Sequence, residues 1–401
     1  MRNIYFGGSS SMAVAEQFLV LLASLAVLLS IIAIDVVLFY GTPLFAIFLW
    51  AGMAQLFIMA LISGRFQKVT AIEWAIFIFM LFIFASCMWS VNLSVSFQQT
   101  YYYVLAFSMF VLASHGAKSR LALSALALAY VAGCLIAALI IIGKWRAGAL
   151  FDSERLSLGT INANYMAYCI ATAIPIMAAL VELRVRFSSV LMPIIAFVFL
   201  MAIFMTGCRG ALVAGGLALV YFYIVNMRKN LLYMIFFVVA GVMAWPYLYD
   251  SLSVGLQSRL NISLLVAGDS ESFSGRLDVW PVAIQTFLDS PLIGAGIGVF
   301  KEMNYGGIGA HNFVLSLLAE TGIVGLFVYL LLITLVFWRI IFHNKKIVLN
   351  SAVALLIVWL PIAMTGVWEA ATAAWFVFGW FVAYAAYIRM GRHSGMVGHE
   401  V

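Results

Sequence analysis

Apolar residues fall in long runs along this chain, separated by short breaks rich in charge, Gly, Pro or Ser. A membrane-spanning helix needs about 20 predominantly apolar residues. By that measure twelve runs predict spans, over 13–34, 43–63, 73–90, 98–115, 121–142, 163–183, 188–206, 209–227, 231–249, 312–338, 347–366 and 369–388. The first run is apolar enough for a signal peptide. No small-residue cleavage site follows it, and Asp35 and a second apolar run come next, so it is read as a retained helix. The expected fold is an all-α polytopic membrane protein, with residues 1–401 forming one membrane domain.

Only one large region does not read as spanning. Segment 250–311, between the ninth and tenth spans, opens on a Ser-rich polar stretch and continues as SGRLDVWPVAIQTFLDS over 274–290. Leu277, Trp280, Ile284, Phe287 and Leu288 recur at helical spacing, Ser274 suits an N-cap, and Asp289-Ser290-Pro291 ends the run. These residues predict a short amphipathic helix, lying either on the membrane surface or against the bundle. PLIGAGIGVF follows, and its alternate glycines suit a tight backbone path rather than a dinucleotide site, since no strand precedes them.

Composition supports the membrane reading. The chain is 66% hydrophobic and 9% charged, whereas a soluble domain is about 45–50% apolar and about 25% charged. The four cysteines lie in or beside apolar runs and read as small hydrophobes. Basic residues set the expected orientation. With the N-terminus inside, seven cations fall outside: Lys144, Arg146, Arg155, Arg209, Arg259, Arg276 and Lys301. The other fourteen of the 21 fall inside, which predicts both termini in the cytoplasm. This bias accounts for the net charge of +6 without a nucleic-acid partner.

The outward cations break the pattern, and each needs an anionic partner. That partner is a nearby carboxylate or an anionic substrate. Arg209 opens the eighth span, and Arg276 starts the amphipathic helix, where amide donors also face an anion. Each arginine reads either as a diphosphate ligand or as a headgroup anchor. His311 is the one histidine expected outside, at the mouth of the tenth span. A helix N-terminus and nearby arginines favour the neutral ring, the form a general base needs. The alternative is an interfacial histidine that only caps the helix. Metal patterns are absent from the sequence, although Asp35 could serve as a carboxylate base or a metal ligand. No ATP-binding motif occurs. Glu320 is an intramembrane acid that calls for a partner inside the bundle.

Four stretches together resemble the O-antigen ligase family, which includes O-antigen polymerase-like proteins. They are RLSLGTINANYMA (155–167), TGCRGALVAGGLAL (206–219), SGRLDVWPVAIQTFLDSPLIGAGIGVF (274–300) and AHNFVLSLLAETGIVG (310–325). The resemblance covers about residues 120–340; the first hundred residues add little beyond hydrophobicity. It implies a metal-independent glycosyltransferase without cofactor at the periplasmic face of the bacterial inner membrane. The implied donor is an undecaprenyl diphosphate-linked polysaccharide, and the implied acceptor is lipid A-core. His311 matches the family histidine. Arg209 and Arg276 match its arginines, with Cys208 where the family pattern has serine. Arg146 and Arg155 are expected to assist at the diphosphate, and Asn164 and Asn312 to touch substrate. An O-antigen polymerase using the same donor is a second reading. A transporter of lipid-linked glycans is a third, disfavoured because no internal repeat is evident and the polar residues gather at the outer rim.

Overall fold

A computed structural model of the chain describes residues 10–37, 42–64, 68–147, 156–158, 161–186, 188–226, 276–304, 307–342 and 346–393, with Val239, Met243 and Gln257 as isolated positions. The expected ninth span, most of 250–275 with its Ser274 cap, and Arg155 lie outside these residues. Among the described residues the fold is helical, with a single β-bridge between Val37 and Pro43. The helices are α1 (Ser10–Ile32), α2 (Leu44–Ser63), α3 (Ala71–Ser86), α4 (Leu93–Gly116), α5 (Arg120–Arg146), α6 (Ala163–Glu182) and α7 (Ser188–Met205). They continue as α8 (Arg209–Asn226), α9 (Arg276–Asp289), α10 (Phe300–Met303), α11 (Phe313–Ile341), α12 (Lys346–Thr365) and α13 (Thr372–His393).

Seven helices are long and apolar enough to cross a membrane. They lie within α1, α2, α5, α6, α11, α12 and α13. Three further apolar stretches, Ala71–Ser86, Leu191–Met205 and Arg209–Phe222, are shorter. The structure therefore supports a polytopic α-helical membrane protein. Side-chain caps fix many helix starts: Thr70, Asn92, Ser119, Asn162 and Asn312 each accept a backbone N–H from the first turn. Helices α6 and α13 are buried on nearly all sides and form the centre. Around them α4 packs on α13, α1 on α2 and α5, α12 on α8, and α3 on α11. All four cysteines are free and buried in this packing.

The tenth predicted span is not one helix. Gly322 in α11 has φ 63° and ψ −166°, so α11 is two helices joined at a break. Such a break frees backbone polar groups, which at membrane depth must be satisfied by protein. The glycine-rich segment 291–298 supplies the partners. Ala295 and Gly296 donate to the carbonyls of Ala319 and Glu320 at 2.9 Å each. Ile323 and Val324 donate in return to Pro291 at 2.9 Å and Leu292 at 3.2 Å. Gly294, Gly296 and Gly298 all have positive φ. A side chain at Gly294 would collide with the Glu320 backbone, and a Cβ at Gly296 would lie 2.6 Å from Ser90 Cβ. Glycine is thus required by both conformation and space. Glu320 has its partner here as well: its Oε1 faces the Phe300 N–H at 3.4 Å.

The amphipathic helix packs on this assembly. Val279 and Ala283 of α9 form a small core with Phe300, Ala310 and Ala319. The buried face therefore runs through Val279, Ala283 and Thr286, offset from the predicted stripe. Ile284 and Leu288 of that stripe are exposed, because the contact with Phe300, Ala310 and Ala319 is made through Val279 and Ala283. Trp280 is tied down by its indole N–H, which donates to the Ala310 carbonyl at 2.9 Å.

Candidate active site

The chain folds so that α6, α8, α9, α11 and α13 begin, and α12 ends, at one end of the bundle. Asn162 caps α6 by accepting the Asn164 N–H at 2.8 Å, which sets Asn164, Tyr165 and Tyr168 at the start of that helix. His311 precedes α11. Its backbone is left-handed, with φ 50°. This conformation is strained for a side chain of that size, at a cost of about 1–3 kcal/mol, and such strain concentrates at functional positions. Asn312 immediately holds the helix start, its Oδ1 accepting the N–H groups of Val314 and Leu315 at 3.0 and 3.3 Å.

These pieces enclose a cavity of about 390 Å³. Its walls include His311, Lys301, Asn162, Asn164, Tyr165 and Tyr168, with Gly307, Gly309 and Val367 completing the rim. A cation, an imidazole and several neutral hydrogen-bonding groups therefore share one opening.

Arg276 approaches from α9. Its Nη2 donates to the Thr365 carbonyl at 2.9 Å, and the Tyr168 hydroxyl donates to the same oxygen at 3.0 Å. Thr365 is the last residue of α12, so this carbonyl lacks a helical partner and accepts two donors instead. The Nε of Arg276 is buried and makes no hydrogen bond. Arg209 opens α8, and the next residue, Gly210, packs on Thr365, where a side chain would collide with the Thr365 side chain. Thr365 thus links the first turn of α8, the guanidinium of Arg276 and the cavity wall at Tyr168.

A family match falls on this region. Residues 194–330 match the family model described as O-antigen ligase. Over that stretch, less than half of its length, the chain is similar to the O-antigen ligase family. The family is enzymatic, ligase- or polymerase-like, and works in the membrane in lipopolysaccharide biosynthesis. No curated protein matches the chain significantly. Arg209, Arg276, Lys301, His311 and Glu320 all lie within the matched O-antigen ligase residues, while Asn164, Tyr168 and Thr365 lie before or after them.

The expected site residues have different places. His311 and Asn164 line the cavity; Arg276 reaches Thr365 beside it, and Gly210, which follows Arg209, packs against the same residue. Asn312 is 8% exposed, and its Oδ1 is taken up by the helix cap. Arg146, at the end of α5, is exposed and does not line the cavity. Lys301 and Tyr168 were not singled out from the sequence. Lys301 was one outward cation among seven. Tyr168 sits in an apolar run, but its spacing of three from Tyr165 places both on one helix face, which was a readable signal. Among the described residues no group of three or more His, Cys, Asp or Glu is arranged to hold a metal.

Between α12 and α13 the turn 366–371 carries a buried acid, Glu369, which is 4% exposed. Burial pushes its carboxyl up to about 7, although the Trp368 N–H, which donates to it at 2.8 Å, opposes the shift. Trp368 is fully buried against the rings of Tyr165 and Tyr168, with centroids 5.4 Å away in each case.

Proposed function

We propose that this protein is a glycosyltransferase of one membrane domain. It moves an O-antigen polysaccharide from undecaprenyl diphosphate to a sugar hydroxyl of lipid A-core, at the periplasmic face of the inner membrane. The observation that carries this reading is the cavity that joins strained His311 and Lys301 to Tyr168, whose hydroxyl shares the Thr365 carbonyl with Arg276.

The donor already holds the energy, in its bond between sugar and diphosphate. The acceptor oxygen forms a bond to the anomeric carbon while the bond from that carbon to the diphosphate oxygen breaks. His311 takes the acceptor's proton as general base. The leaving diphosphate gains charge, which Arg276, Arg209 and Lys301 offset with charge-assisted hydrogen bonds. A single displacement of this kind inverts the anomeric centre. The strain at His311 fits this role, because a fixed backbone aims the imidazole without help from a flexible loop.

The decisive experiment is transfer of lipid-linked glycan by the purified protein. His311→Ala is expected to cut the rate by about 10²–10⁴ while leaving the fold intact. Full activity in that variant would remove the base. Deleting the gene separates ligase from polymerase on a gel. Lipopolysaccharide without O-chains, with polymer held on the carrier, supports ligation; single repeats attached to lipopolysaccharide would show polymerisation instead.

A further inference from the structure

Helix α9 has three different faces. At about 100° per residue its side chains divide into three sectors. Val279, Ala283 and Thr286 share one sector and are buried, the first two against Phe300, Ala310 and Ala319. Pro281, Ile284 and Leu288 share the next and are exposed. Asp278, Gln285 and Asp289 share the third and are exposed as well, with Gln285 donating to Asp289 at 2.8 Å. We propose that α9 lies along the bilayer surface on the cavity side, with its Ile284 and Leu288 flank among lipid acyl chains and its Asp278 and Asp289 flank in water.

The level of the membrane against α11 favours lipid as the occupant of that flank. None of residues 313–322, before and at the break, is exposed, whereas Ile323, Val324, Phe327, Leu330 and Leu331 all are. This stripe is apolar and runs along a helix able to cross a membrane, so it faces lipid. Residues 323–341 extend about 28 Å at 1.5 Å per residue, which matches a hydrocarbon core of about 30 Å. Near the far end Trp338 is exposed and Arg339 follows it, an aromatic and a cation where the opposite interface falls. The Gly322 break therefore sits where hydrocarbon gives way to headgroups.

Helix α9 is bonded to that same level. The turn after it sets Pro291 and Leu292 against the break, where their carbonyls accept the N–H groups of Ile323 and Val324. Leu292 and Ile293 are exposed, so the apolar positions run on from α9 through the turn to the α11 stripe. Water is a poor solvent for such a band, and lipid a good one. The polar flank fixes the roll of the helix, because turning it the other way would strip water from the carboxylates of Asp278 and Asp289. The bilayer thereby becomes part of the mount of Arg276, the first residue of α9. None of this depends on the glycosyltransferase reading.

Spin labels on the full-length protein in nanodiscs test the placement. Ile284→Cys and Leu288→Cys report on the apolar flank, Gln285→Cys and Asp289→Cys on the polar flank, and Phe327→Cys on the α11 stripe. The four native cysteines are buried, so the nitroxide reagent is directed to the introduced thiol. Power-saturation EPR reads collisions with oxygen, which concentrates in hydrocarbon, and with a water-soluble nickel chelate. Labels at positions 284, 288 and 327 are expected to favour oxygen, with the first two about 5–10 Å below the headgroup boundary. Labels at positions 285 and 289 are expected to favour the chelate. Two positions on each flank keep the comparison readable if one variant fails to fold. If positions 284 and 288 favour the chelate as 285 and 289 do, α9 stands in water and the inference fails. If they are shielded from both reagents, protein covers the flank, either a second copy or another segment of this chain, and lipid is not its occupant.

Discussion

At the end of the bundle away from the cavities, polar side chains close on one another. Thr70 and Glu73 form a reciprocal cap on α3, and the Glu73 carboxylate also holds the His115 ring from α4. Arg120 donates to the carbonyls of Leu183 and Arg184 at 2.7 and 3.1 Å, tying α5 to the end of α6. Tyr384 and Ser351 both donate to Glu182 at 2.7 and 2.9 Å. At the other end the same helices finish in a broken helix, glycines with positive φ, a left-handed histidine and two cavities. The contrast shows where the fold invests order. Left-handed non-glycine residues occur at both ends, Arg184 (φ 51°) at the first and His311 at the second, but one end uses its polar groups to hold helices together and the other lines open space with them. Function needs the second arrangement, and the first provides stability that supports it.

The comparison can be broken in graded ways. The largest effect is expected from Gly294→Ala, which forces a methyl group into the Glu320 backbone at a left-handed position. That variant is expected to lose the folded state, seen as aggregated rather than monodisperse protein after detergent extraction. A moderate effect is expected from Glu73→Ala at the opposite end. It removes the acceptor of the Thr70 N–H and the partner of His115, and should cost about 1–2 kcal/mol in thermal unfolding with the transfer rate unchanged. A rate loss there would mean that the two ends are coupled. The smallest effect concerns pH. Glu369 has its folded-state pKa raised from 4.5 to about 7. Between those values the folded protein holds a proton that the unfolded chain releases, so stability falls as pH rises through the window and levels off above it. Glu369→Gln is expected to flatten that slope when melting temperature is followed against pH.

Much of this was readable because the helices are long and apolar. Run length alone located α1, α2, α5, α6, α11, α12 and α13. Gly322 was not readable as a break, because it lies in an apolar run and its partners sit some thirty residues earlier, across a contact that no periodicity reveals. The alternate glycines suggested an unusual path but not what it packs against. At the site, His311 stood out as the histidine expected at the outer face, and Asn164 by its Asn-rich turn. Tyr168 and Thr365 were hidden because their role comes from a shared carbonyl between distant helices. Asp35 drew attention as a charge after an apolar run, yet only the fold places it beside Tyr102 and Tyr165.

The break in α11 also orders how the molecule can be assembled. A segment stopping at Glu320 would present bare amide and carbonyl groups to hydrocarbon, which lipid cannot satisfy. The stretch that satisfies them, 291–298, precedes the break and so leaves the ribosome first. The mate is therefore already waiting when the half-helix emerges. A rearranged gene that moved this stretch behind α11 would leave the nascent span without its clasp during insertion.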